Sequence, residues 1–267
     1  MRMEKRKLKS FTFWVVAFII TMALAIYQRV SGPTYPFRGS ANFLGQVIKF
    51  KLPRSVENKD NCQIIINLPE SFRGRVQGYL EFKKLKAESP WNILAMKEQN
   101  GVLVGYLPKQ PPAGKLAYYV HLVSNSQEVS LTGEKAVVIR FKGPVSKPVL
   151  IGHIIIMFLA MLFSVRAGLQ ALGQAEDLAP LTRWTAVLFF LGGFILGPII
   201  QKMAFGVFWS GFPVGHDLTD TKTLLIMIAW IAALASGRKT SPKKAWVLGA
   251  SIITILVFLI PHSLWGS

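Results

Sequence analysis

Cysteine is nearly absent from this chain: Cys62 stands alone among 267 residues. An intramolecular disulfide is therefore excluded, as are the paired-cysteine motifs of zinc sites and haem attachment. A lone thiol in a segment patterned like a strand reads as a small buried apolar residue. Acidic residues are scarce as well, 13 against 31 Lys and Arg. None falls inside the long apolar runs at 11–27, 149–172, 184–200, 223–235 and 245–260, which excludes an ion or proton path built on intramembrane carboxylates. The chain also lacks a phosphate-binding P-loop, a GxSxG nucleophile elbow and a dinucleotide fingerprint.

What is present is divided between two kinds of solvent. Apolar residues gather in runs at the start and in the second half, while charges crowd between about 38 and 147. A net charge of +18 raises the question of nucleic acid. The placement of the charges answers it in the negative. Arg2, Lys5, Arg6, Lys7 and Lys9 precede the first apolar run, and Arg238, Lys239, Lys243 and Lys244 share one short loop between later runs. Those are the positions of membrane topology signals.

The first run, 11–27, has no charge and is just long enough for a hydrocarbon core of about 30 Å. A cleaved signal peptide is the rival reading, with Ala23-Leu24-Ala25 as the cleavage site. A retained anchor is favoured, because the apolar stretch continues to Tyr27 and ends at Gln28-Arg29. With a cytoplasmic N-terminus, residues 31–147 and the loop 201–222 lie outside, the basic loop 236–244 lies inside and the C-terminus is extracytoplasmic. The expected localisation is a multi-pass plasma (inner) membrane. Gly193 and Gly197 form a GxxxG pair that predicts close helix packing, and Pro198 predicts a kink.

Between 31 and 147 the period changes to two. Val76, Leu80 and Phe82 alternate with Arg75, Gln77, Tyr79, Glu81 and Lys83, and Leu116, Tyr118, Val120 and Leu122 alternate with Ala117, Tyr119 and His121. Further strands are expected at 43–52, 62–68, 91–97, 102–107 and 135–141, separated by Pro53, Pro69, Asn100-Gly101, Pro111-Pro112 and Thr132-Gly133. This count and spacing over 40–145 resembles immunoglobulin or fibronectin type III-like modules, and the resemblance implies a small antiparallel β-sandwich. The architecture carries no function with it. The expected organisation is an N-terminal tail and anchor (1–30), an inserted all-β sandwich (31–147) and a four-helix transmembrane domain (148–267), five membrane helices in total. Lys83, Lys84 and Lys86 give the β domain a basic surface that suits either solvent or anionic lipid headgroups.

Chemistry concentrates on three of the four histidines. His153, His216 and His262 fall at the outer ends of the helical runs, and His216 opens the sequence His216-Asp217-Leu218-Thr219-Asp220. Imidazoles and carboxylates converging at a semi-dry surface suit zinc, iron or copper, so His153, His216, Asp217, Asp220 and His262 are the candidate metal ligands. The competing reading makes Asp217 or Asp220 the cap of a helix beginning near Thr221. Phe205, Phe208, Trp209 and Phe212 with Gly206, Gly211 and Pro213 read as an interfacial or re-entrant segment. Two functions follow: a non-catalytic envelope component working in assembly or as a subunit beside other membrane proteins, or a metal-dependent membrane enzyme or metal-handling protein using the His/Asp set.

Overall fold

The computed structural model describes residues 2–85, 89–124, 127–173, 177–237 and 241–261, with side chains from Leu8 onward. The chain divides into two units. One comprises Thr34–Pro144 with Ala204–Gly206, and the other holds the remaining helices.

The described residues of the first unit form three sheets. β1 (Phe37–Phe43) and β2 (Gln46–Leu52) form an antiparallel hairpin. The residues joining them, Leu44 and Gly45, have φ of 50° and 78°, the positive values that a two-residue hairpin loop requires. The sequence reads this region as one strand, 43–52, because Leu44-Gly45 lacks the Asn-Gly signature and the polar Arg38-Gly39-Ser40 hides the first strand. The three-stranded sheet orders β4 (Cys62–Asn67), β8 (Val102–Leu107) and β7 (Lys97–Gln99). The largest sheet runs β3 (Ser55–Glu57), β11 (Val137–Lys142), β9 (Lys115–Ser124), β5 (Gln77–Lys84) and β6 (Asn92–Ala95). β10 (Gln127–Ser130) pairs with the far end of β9, and β3 joins β11 in parallel.

The predicted strand 91–97 is in fact two strands in different sheets. Residues 92–95 pair with β5, and 97–99 pair with β8. Met96 marks the change, buried, with its N–H donating to the Gly78 carbonyl at 2.8 Å. A switch of this kind keeps the apolar alternation and so leaves no trace in it.

Inward residues of all three sheets share one core, including Ile48, Ile64, Leu80, Leu107, Val120 and Phe141. Each fully buried side chain of this size contributes about 1.5–3 kcal/mol. Gly105 lets two layers approach: a Cβ there would stand 2.7 Å from Leu80 Cδ1. Cys62 is part of this core, as its isolation suggested, and burial pushes its thiol up to about 11. The Tyr118 ring is fully buried, and its hydroxyl donates to the Pro53 carbonyl at 2.9 Å. Residues 204–206 are tied to this unit by the Gly143 N–H, which donates to the Ala204 carbonyl at 2.8 Å.

The second unit consists of helices. They are α1 (Arg2–Ser31), α2 (Lys147–Leu172), α3 (Ala179–Phe189), α4 (Gly197–Phe205), α5 (Leu218–Ala235) and α6 (Lys244–Leu259). A π-helical turn, Phe190–Leu196, makes α3 and α4 one continuous rod. Among the described residues, four stretches are long and apolar enough to cross a membrane: Leu8–Ser31, Lys147–Leu172, Ala179–Phe205 and Leu218–Ala235. The fifth expected span, α6, is apolar but has 16 residues. These lengths are compatible with a multi-pass membrane protein.

Helix α1 packs on α2 and α6 and buries Ala17, Thr21 and Leu24. Trp14 meets Phe163 edge-on at 5.3 Å, and Gln28 Nε2 donates to the carbonyls of Phe258 and Ile260. Arg166 is buried, reaching Gln170 Oε1 at 2.8 Å and Ser10 Oγ at 3.2 Å. Its guanidinium lies over Phe13 and Trp14, 5.4 Å from each ring centroid. Interhelical polar contacts supply the rest. Trp230 Nε1 donates to Thr254 Oγ1 at 3.0 Å, and Ser251 Oγ donates to the Ser164 carbonyl at 3.0 Å.

The glycines of the third rod work differently from a GxxxG pair. A Cβ on Gly192 would meet Met157 of α2 at 2.6 Å, and one on Gly193 would meet Thr223 of α5 at 2.4 Å. Adjacent glycines thus admit neighbours on two sides, while Gly197 has the Gly192 carbonyl and His153 near it. The π turn lies directly before Pro198, where a normal α turn would clash with the ring.

α2 approaches α6 closely at Gly168, where a Cβ would lie 2.3 Å from Ser251 Oγ and 2.7 Å from Ser251 Cβ. Gly168→Ala is expected to lower stability by about 1–3 kcal/mol through overpacking. Gly249→Ala, with nothing within 4 Å, should leave it unchanged or slightly raised. Thermal unfolding of the two variants in one detergent checks the contrast.

Candidate functional site

Helix α5 starts earlier than the sequence suggests, at Leu218, because Asp217 caps it. Asp217 Oδ1 accepts from the N–H groups of Thr219 at 2.8 Å and Asp220 at 3.3 Å. Asp220 then falls in the first turn, where a carboxylate is favoured by the helix dipole. Its side chain is turned toward the preceding loop and is 8% exposed. Oδ2 accepts from the Ser210 N–H at 2.7 Å, the Gly211 N–H at 3.1 Å and Gln201 Nε2 at 3.0 Å. Gln201 Nε2 also donates to Ser210 Oγ at 2.6 Å. One carboxylate therefore fixes the loop 206–217 to the ends of α4 and α5. Gly211 is required here, since a Cβ would stand 2.5 Å from Asp220 Cβ.

Two residues on, Lys222 is buried and reaches across to α6, donating to the carbonyls of Ile260 at 2.8 Å and Pro261 at 3.0 Å. A cation at the carbonyl end of a helix is well placed. Only tertiary packing brings the end of α6 beside Lys222.

The proposed metal ligands are placed as follows. His153 is half-buried on α2, with Nδ1 3.0 Å from the Gly192 carbonyl of the π turn. His216 is exposed in the loop. Asp217 and Asp220 make the cap and the loop contacts just described. His262 lies outside the described residues. Among the described residues no three His, Cys, Asp or Glu side chains come together in a group able to hold a metal ion.

A different constellation occupies the outer face of β5, β9, β6 and β10. Tyr79 pairs with His121 across β5 and β9, and Glu81 with Tyr119. Tyr79 and His121 stack face to face, 4.5 Å between centroids and 3° between planes. Tyr119 stands 6.0 Å from His121 and 5.2 Å from Trp91 between ring centroids. The result is a continuous run of four rings across the sheet. His121 Nε2 lies 3.4 Å from Glu81 Oε2, and Nδ1 lies 3.3 Å from Glu128 Oε1. The Tyr79 hydroxyl donates to the same Glu128 oxygen. Lys83 Nζ sits 4.8 Å from the Trp91 ring.

Sequence alternation places Tyr79, Glu81 and Lys83 on one face and Tyr119 and His121 on one face. It does not reveal that β5 and β9 are neighbours, nor their register. His121, on the polar face of the alternation, is enclosed between a ring and two carboxylates. Beside the run, Trp91 is 37% exposed and Ile93 is 72% exposed. A flat surface of fixed rings with an aliphatic side chain beside them and charges between them suits recognition of another polypeptide.

Hydrogen bonds to a charged group contribute about 1.5–3 kcal/mol each, so Asp220→Ala should release the loop 206–217. The expected outcome is a lower unfolding midpoint and new proteolytic cleavage within 206–217. Gln201→Ala, which removes one donor and leaves the carboxylate, should show the smaller effect. Tyr79 gives a pH test. Partial burial first, then its bond to Glu128 and the charges of Glu128 and Glu81, push its phenol up to about 12. A raised value favours the folded state below the ordinary tyrosine range of about 10, and this contribution is lost as pH rises through about 12. Difference titration of phenolate absorbance should show one phenol near that value in the native protein and none there in Tyr79→Phe. Compared with known proteins, the chain matches no family model and no curated protein.

Proposed function

We propose that the protein is a non-catalytic subunit of a membrane complex: a helical bundle in the plasma (inner) membrane carrying an extracytoplasmic β-sandwich that docks a partner polypeptide. The N-terminus is cytoplasmic, and residues 31–147 and the C-terminus lie outside. The basic N-terminal tail and the basic loop 236–244 support this direction. Packing of α1 on α2 and α6 supports a retained anchor, since removing α1 would uncover Arg166 and the buried faces around it. The parallel pairing of β3 with β11, the shared core of three sheets and the change of sheet at Met96 support a sandwich of the immunoglobulin or fibronectin III kind.

The observation that carries the reading is the ring surface formed by Trp91, Tyr119, His121 and Tyr79 with Ile93 beside it. Its polar groups are engaged with one another and hold the rings in place, as in a preorganised interface rather than a reaction centre. Aromatic anchors that a partner buries typically dominate binding energy, at about 2 kcal/mol or more each.

The test is cross-linking in intact membranes. A photoreactive residue at Ile93 should capture one defined polypeptide, while the same residue at Val47, 62% exposed on another sheet, should not. Trp91→Ala with Tyr119→Ala should abolish the adduct while lowering the unfolding free energy by no more than about 1 kcal/mol. Equal labelling from both positions, or none from Ile93, would refute the proposal.

A further inference from the structure

The loop between α4 and α5 is shaped before it meets its surroundings. Asp220 gathers the N–H groups of Ser210 and Gly211 from inside, and the Thr221 hydroxyl receives the Phe212 N–H at 3.1 Å. Held in this way, the loop turns its large apolar side chains outward. Val207 is 46% exposed, Phe208 57%, Phe212 63% and Val214 77%. Solvated loops rarely present four such groups within eight residues, and a contiguous exposed apolar patch marks an interaction surface.

The position of the loop identifies its occupant. It joins two helices that are each long and apolar enough to cross a membrane, Ala179–Phe205 and Leu218–Ala235. Their outward faces, with Ile195 and Ile199 before the loop and Leu225 and Ile228 after it, are exposed and apolar. The loop continues the same surface. Phe190, Phe194 and Trp209 form a stack that runs from the π turn into the loop, with centroid distances of 6.2 and 5.6 Å. Trp209 Nε1 donates to the Phe212 carbonyl at 3.2 Å, and Lys202 Nζ lies 5.4 Å from the Phe208 ring. Aromatic rings with a basic group beside them, at the end of an apolar helix, match the boundary between acyl chains and headgroups.

We infer that the loop 207–214 is a lipid-binding wedge: Phe208, Phe212 and Val214 insert into the outer acyl–headgroup boundary of the bilayer that the helices span, with Asp220 holding the wedge open from behind. The inference rests on the membrane reading above and adds a second, shallow contact with lipid. The rings are already ordered by protein contacts, so insertion costs little further conformational entropy.

Site-directed spin labelling in lipid nanodiscs containing anionic lipid tests it. Single labels are introduced at Phe208→Cys and Val214→Cys, with Ile228→Cys on α5 and Asp60→Cys in the β unit for reference. Cys62 stays in place, and the protein without an added cysteine supplies the background. Relative accessibility to oxygen and to a polar nickel reagent then reports depth. Positions 208 and 214 are expected on the lipid side, shallower than 228 and several-fold above 60 in the oxygen-to-nickel ratio. Values equal to position 60, with 228 still in lipid, overturn the wedge and leave the membrane reading standing. A water signal at 228 as well overturns both. Adding Asp220→Ala should move 214 toward water, and an unchanged depth there overturns the role given to Asp220.

Discussion

Polar groups set among apolar helices must find their hydrogen bonds inside the protein, and the helical unit is organised around that constraint. Lys222 of α5 donates to the carbonyls of Ile260 and Pro261 just past α6, and Gln28 of α1 donates to those of Phe258 and Ile260. The His153 ring faces the Gly192 carbonyl where the wide turn leaves it accessible. Asp220 accepts the N–H groups of a loop that has no secondary structure to satisfy them. Each of these side chains is costly to place among apolar neighbours and is stabilised there by a partner from another element. Removing one such partner would strand a buried charge or dipole, so these contacts also define which helices must be adjacent.

The β unit answers a different demand. Its inward faces are filled by aliphatic and aromatic side chains from three sheets, and one strand passes from sheet to sheet at Met96. Its outward face is equally ordered, but by stacking and hydrogen bonding. His121 is the centre: Tyr79 covers one side, and Glu81 and Glu128 stand at its two nitrogens. Contacts that close on one another inside a half-buried network hold the rings in fixed positions.

Much of this was legible beforehand. Runs without charge located the helices, because a span must be apolar over its whole length, and a period of two located most of the strands. The cap at Asp217 was one of two readings of the His216–Asp220 run, since a short acceptor before an apolar helix is a local signal. The first hairpin strand, the division at Met96, β3 and β10 were not legible: each is short, polar or continuous in pattern with its neighbour. The four-ring run was invisible for another reason. Tyr79 and Trp91 each face one side of a strand, and their joint position depends on pairings between strands far apart in the chain.

By itself the sequence determined where the chain is apolar throughout, where it alternates and where it turns, because hydrophobic periodicity and turn chemistry act over a few residues. Tertiary structure alone decided which polar groups meet: Asp220 with the loop before it, Lys222 with the end of α6, His121 with two glutamates. Those choices depend on register and helix adjacency, which arise from packing across the whole unit and leave no local mark.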